Sequence, residues 1–152
     1  MISCTEFIPM YSEMFKYMEE KDGHDAVVKF WHHIADIYVR ERLGKLAAEK
    51  GLAACWEYWS HSLNEEAADF VMTYDEEEQT FDLDMRYCPS CGMLNEMKHM
   101  EPYHDYCGHC EVLYAPILAE YGVLSSGSWY DPERACCHEG YYVPKADQKT
   151  KE

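Results

Sequence analysis

The chain has 152 residues, enough for one domain with a true core: hydrophobic residues make up 47% and aromatics 14%, which excludes an intrinsically disordered chain. Thirteen Lys and Arg stand against 29 Asp and Glu, a net charge of −16 that repels phosphate backbones and anionic lipid and so argues against nucleic acid as a partner. No apolar run approaches the roughly 18 residues of a membrane helix, and "MISCTEFIPMYSEMF" has no basic region followed by an apolar stretch and a cleavage site. The expectation is therefore a cytoplasmic protein without a membrane partner. Its eight cysteines then read as thiols or metal ligands rather than structural disulfides.

Residues 5 to 20 predict an amphipathic helix, with Phe7, Met10, Tyr11, Met14, Phe15 and Met18 recurring at three- and four-residue steps. Gly23 breaks it. A longer helix is expected over about 25 to 50, its apolar face formed by Val27, Phe30, Trp31, Ile34, Ile37, Tyr38 and Leu46, with Gly51 as its C-cap. The aromatic segment "LAACWEYWSHS" fits more than one local structure.

The hydrophobic period then changes to two. Phe81, Leu83, Met85 and Tyr87 alternate with Asp82, Asp84 and Arg86, the pattern of a half-buried strand. Upstream, Phe70, Met72 and Tyr74 share a face, and the acidic "DEEEQ" joins the two runs as a hairpin. Near the end, "SSGSWY" and "ACCHEGYYV" flank the turn "DPER" and predict a second hairpin. The order predicts a single α+β domain: N-terminal helices over about 5–60, and a cysteine-rich part over about 68–143. That part has an antiparallel sheet of about four strands, with a cysteine-bearing helix between its two hairpins. Residues 145–152 form a polar tail.

Two Cys-x-x-Cys pairs stand out. Cys88-Pro-Ser-Cys91-Gly has the spacing of a zinc knuckle, in which a tight turn brings two thiolates to one metal and Gly92 takes unusual backbone angles. Cys107 and Cys110 open an apolar helical run, where three-residue spacing puts both on one side and the helix N-terminus favours thiolate. The same stripe continues through Tyr114, Ile117 or Leu118, and Tyr121, so these cysteines also fit as small core hydrophobes. Cys136 and Cys137 are neighbours in a strand and point to opposite faces, so that one of them, taken as Cys137, reaches the helix of Cys107. Cys4 and Cys55 lie outside any pair and read as packing residues. His104, Asp105 and His109 bracket Cys107 and are candidate proton carriers, whereas His32 and His33 read as structural and His61, His99 and His138 remain unassigned.

The C-terminal part, about 68 to 143, resembles the L-2-amino-thiazoline-4-carboxylic acid hydrolase family. The resemblance runs through "FDLDMRYCPSC", "YHDYCGHCEVLYAPILAEYG" and "ERACCHEGYY" in that order. It departs from the family at Cys110, a position often acidic there. The resemblance implies a hydrolase acting on the carbon–nitrogen bond of a small cyclic amidine or thiazoline, opening the ring by adding water at the carbon between nitrogen and sulfur. Cys107 would be the nucleophile, with His104, His109 and Asp105 as acid-base neighbours. Alternatively, zinc or another thiophilic metal held by Cys88, Cys91, Cys107, Cys110 and Cys137 would polarise water. A complete four-thiolate shell would instead make the site structural. Two further readings fit the same residues: a non-enzymatic, treble-clef-like zinc module, and a thiol-redox or ligand-sensing protein. The partner expected for the enzyme is a small-molecule substrate, and the sequence carries no glycine-rich loop for a nucleotide cofactor.

Overall fold

The structure, a computed structural model, describes residues 4–64 and 68–145, with side chains from residue 6 onward. The side chain of Cys4 and nearly all of the expected polar tail lie outside the described residues. Helix α1 (Cys4–Asp22) ends at Gly23, and α2 (His24–Ile34) runs into a π-helical segment (Ala35–Gly44) and then α3 (Lys45–Lys50). The aromatic segment of mixed pattern forms helix α4 (Ala53–Asn64). Strands β1 (Asp69–Asp75) and β2 (Thr80–Tyr87) make the first hairpin. Helices α5 (Pro89–Glu96) and α6 (Gly108–Ala119) follow, and strands β3 (Leu124–Asp131) and β4 (Cys136–Tyr142) make the second hairpin.

All strand pairs are antiparallel, in the order β1-β2-β4-β3. The expected α+β architecture, two hairpins in one four-stranded antiparallel sheet, is the one observed, but two cysteine-bearing helices rather than one lie between the hairpins. Both tight connections use side chains to hold their turns. Asp75 Oδ1 accepts the backbone N–H groups of Glu77 and Glu78, and Asp131 Oδ1 accepts that of Arg134.

The long helix departs from expectation in its middle. Its buried hydrophobic residues are Val27, Trp31, Ala35, Val39, Leu43 and Ala47, each four apart. On an α-helix of 3.6 residues per turn, every four-residue step drifts by roughly 40° around the axis, and five steps would carry the stripe to the opposite side. The wider π-helical winding over Ala35–Gly44 takes up that drift. Ile37 and Tyr38, expected on the apolar face, are turned outward and are 56% and 50% exposed. At the end of this helix Gly51 adopts φ +58°, as a C-cap glycine does. In α1, Phe7 and Met10 also lie exposed, because the first turns run past the core that buries Phe15.

The core has two parts. Phe15, Val27, Trp31, Leu94, Tyr103 and Tyr106 pack where α1 and α2 meet the segment before α6. The larger part lies between α4, the π-helical segment, α6 and the inner face of the sheet. There Trp59 stacks on Phe81 and Tyr141, with ring centroids 5.6 and 5.5 Å apart. Cys55 is fully buried in this cluster, where desolvation pushes its thiol up to about 12. That fits the packing role expected of it. Tyr87 departs from its strand pattern: at the end of β2 it is 38% exposed.

Candidate functional site

Each Cys-x-x-Cys begins a helix. Cys88 is the N-cap of α5 and Cys91 lies in its first turn, while Cys107 is the N-cap of α6 and Cys110 lies in its first turn. The first pair is therefore not held by a glycine-dependent knuckle. Gly92 is helical, and the ring of Tyr87 lies in the space a Cβ there would take, so a larger residue would have to push that ring aside. Helix α5 is fastened to the β3–β4 turn. The Cys88 N–H donates to Ala135 O at 2.7 Å, Asn95 Nδ2 donates to Pro132 O at 2.6 Å, and the Cys91 thiol donates to the same carbonyl at 3.3 Å.

The two helix starts and the end of the sheet enclose a cavity of about 370 Å³. Cys88, Cys91, Cys107, Cys110, Cys136 and Cys137 all line it. On the sheet side, Cys137 lies opposite Met85 and Glu139 opposite Leu83, which places both on the inner face. The structure thus brings the five expected cysteines to one space, with Cys136 at its edge.

Within this space the thiols fall into distinct pairs. The Cys107 thiol donates to Cys91 Sγ across 3.9 Å. That bond raises the Cys107 thiol far above its ordinary range and lowers Cys91, so the first proton leaves Cys91. The depression expected for Cys107 at a helix N-terminus is not found, since its bond to Cys91 and then desolvation push it the other way.

Cys110 has the imidazole partner. His109 Nδ1 is bonded to the carbonyl oxygen of Tyr106, and a carbonyl only accepts, so Nδ1 carries the hydrogen. His109 Nε2 is then an acceptor, and it stands 3.6 Å from Cys110 Sγ. Burial lowers His109 and keeps it neutral, and it raises the Cys110 thiol well above normal. The ring is held edge-on by Tyr11 and Tyr106, at centroid distances of 6.0 and 5.0 Å.

The other two expected acid-base residues are placed elsewhere. His104 does not line the cavity; its Nε2 meets Glu19 Oε2 at 2.9 Å on the surface. Asp105 accepts from the Tyr130 hydroxyl at 3.4 Å and lies 3.6 Å from His24 Nε2. His138, on the outer face of the sheet, pairs with Asp84 at 2.8 Å and stacks on Trp129.

Two residues of the cavity were not singled out from sequence. Glu139 is only 8% exposed, and its Oε2 accepts the Tyr141 hydroxyl at 2.7 Å. Desolvation holds its carboxyl above the ordinary range. The signal was present in the period of two: Cys137, Glu139 and Tyr141 alternate with His138 and Gly140, so a strand that turns Cys137 inward also buries Glu139. The second is Arg42, the one Lys or Arg among the described residues lining the cavity. Its guanidinium lies 5.2 Å from the ring centre of Tyr38 and 5.7 Å from that of Tyr58.

Comparison with protein-family models, with curated proteins and with solved structures finds no match. No helix among the described residues is long and apolar enough to cross a membrane.

Proposed function

We propose that the protein is a hydrolase that opens a small cyclic amidine of the thiazoline type within this cavity. The observation that carries the reading is the Cys110–His109 pair on the wall of an enclosed space that also holds a buried carboxyl. The volume suits a small organic molecule. Cys110 replaces Cys107 as the favoured nucleophile, because the base lies beside Cys110 and Cys107 is engaged with Cys91.

In the first step Cys110 Sγ bonds to the carbon between nitrogen and sulfur while its proton passes to His109 Nε2. The C=N electron pair moves to the ring nitrogen, which takes a proton from the Glu139 carboxyl. The ring carbon–sulfur bond then breaks. Its electron pair stays on the leaving sulfur, which takes the proton from His109, and C=N re-forms as the nitrogen returns its proton to Glu139. Water adds to the enzyme-bound carbon as His109 takes one of its protons and the nitrogen takes one from Glu139. The bond to Cys110 breaks, Sγ recovers the proton from His109, and the hydroxyl proton returns to Glu139 as the carbonyl forms. One water is consumed and one carbon–sulfur bond is cut. Arg42 at the rim offers a cation to an anionic group of the substrate. Reduced thiols suit a cytoplasmic setting.

The test is turnover of 2-amino-2-thiazoline-4-carboxylate by reduced protein, followed by release of the product thiol. Cys110→Ser is expected to lower the rate at least about a hundredfold, because serine is a far weaker nucleophile. A Cys110→Ser variant with the full rate sinks the covalent route, and no turnover by metal-replete, reduced protein sinks the hydrolase reading.

A second reading has its own support. The 3.9 Å between the Cys91 and Cys107 sulfurs is near the edge of about 3.8 Å expected when two thiolates share a tetrahedral zinc at about 2.3 Å. Among the described residues no third ligand atom stands within 4.8 Å of both sulfurs, so a zinc ion here would need Cys88, which lines the same cavity, to swing in. A structural zinc module predicts one ion per chain, bound with no turnover, and loss of that ion in Cys91→Ser.

A further inference from the structure

We propose that Glu19, His24 and His104 form a cation site, selective for zinc-class divalent ions and separate from the thiol cavity. The ligand atoms of these three side chains lie within 4.8 Å of one another, the one such set of three among the described residues. None of the three lines the cavity.

The residues come from separate parts of the chain. Glu19 is in the last turn of α1, His24 is the first residue of α2, and His104 stands on the segment before α6. Gly23, with φ +82°, turns the chain sharply enough to set Glu19 and His24 side by side. The segment bearing His104 is fastened from beneath: Tyr103 is 3% exposed, and its N–H donates to the buried Ser12 Oγ at 2.8 Å.

The surroundings orient the ligands. His24 Nδ1 is bonded to the Tyr103 hydroxyl at 2.9 Å, which leaves Nε2 to face the site. That Nε2 is 3.6 Å from Asp105 Oδ2, so a second carboxylate stands within reach. His104 Nε2 lies 2.9 Å from Glu19 Oε2 and 3.2 Å from Oε1. Here a proton occupies the place an ion would take. Metal–nitrogen and metal–oxygen bonds of about 2.0–2.2 Å would put neighbouring ligands roughly 3.3 Å apart, so small side-chain rotations close the set. Two imidazoles with one or two carboxylates suit zinc, cobalt or nickel and give little preference to magnesium, which keeps oxygen ligands and its own waters. The Tyr103 hydroxyl acts as the outer partner that fixes a ligand histidine.

The ion would tie α1, α2 and the segment leading to Cys107 and Cys110 at one point, outside the reacting space. The inference does not depend on the hydrolase reading.

The test is equilibrium dialysis of reduced full-length protein against zinc, with elemental analysis, alongside a cobalt titration. Wild type is expected to bind one more zinc per chain than His24→Ala/His104→Ala, and Glu19→Gln to weaken that ion at least tenfold. The sulfur-to-cobalt absorption from the cavity thiols should be equal in wild type and the double variant. All three side chains are at least partly exposed, so thermal unfolding without metal should show the variants folded. Equal zinc content in wild type and the double variant overturns the proposal. So does a drop in sulfur-to-cobalt absorption matching the lost ion, because the ion would then belong to the thiols.

Discussion

At one end of the sheet's inner face, Phe81 and Tyr141 are sealed by Trp59 in stacked contact; at the other, Met85, Cys137 and Glu139 face open space. The same two strands supply both ends. The difference lies in what covers them. Trp59 of helix α4 covers the first and also borders the cavity, whereas the starts of α5 and α6 stand over the second and present thiols and an imidazole. Polar and nucleophilic groups are concentrated where packing is incomplete: one end of the face is closed by aromatic stacking and the other borders a cavity, the space the proposed reaction would use.

The contrast can be broken most directly at Trp59. Trp59→Ala is expected to cost about 3–5 kcal/mol, a large share of the roughly 5–15 kcal/mol that holds a domain of this kind. Cys137→Ala at the open end removes one sulfur beside existing space and should cost about 0.8 kcal/mol. Urea unfolding of the two variants measures both. If Cys137→Ala were as costly as Trp59→Ala, the open end would be a packed core and the contrast would fail.

The next effect sharpens the contrast through pH. The Glu139 carboxyl is raised by burial, so the unfolded chain loses that proton first. Stability therefore falls as pH rises from the ordinary glutamate pKa towards the raised folded value, and levels off above it. Glu139→Gln keeps an oxygen for the Tyr141 hydroxyl and removes the titration. Its melting temperature should decline less than that of wild type between about pH 4 and about pH 8. Parallel curves would mean that the carboxyl is hydrated in the folded protein.

The smallest effect belongs to the surface. Arg40 on the π-helical segment pairs with Glu120 at the end of α6, and its bond lowers the Glu120 carboxyl. A lowered acid stabilises the fold above its unfolded pKa, and that contribution is lost as pH falls through the folded value. Glu120→Gln should therefore narrow the fall in melting temperature on acidification by a small, salt-sensitive amount. A shift comparable with that of Trp59→Ala would show that this bridge, rather than the aromatic stack, secures α6.

Local pattern was enough to determine much of the fold. The period-two runs about Phe81 and Cys137, the turn residues of "DEEEQ" and "DPER", and the glycines at 23 and 51 depend on neighbours in the chain, so strands, hairpins and helix ends were legible before any packing. The grouping of Cys88, Cys91, Cys107, Cys110 and Cys137 followed from spacing. Which thiol meets which partner did not. Cys107 faces Cys91, Cys110 faces His109 and His104 faces Glu19 because α5 is fastened to the β3–β4 turn and Tyr103 is anchored on Ser12. Cys110 and His109 are neighbours in the chain, but the anchoring contacts, Cys91 to Pro132 and Tyr103 to Ser12, join residues 41 and 91 apart. The π-helical winding that turns Ile37 and Tyr38 outward has the same origin: a four-residue stripe can stay on one side only when the core around it holds the helix in a wider turn.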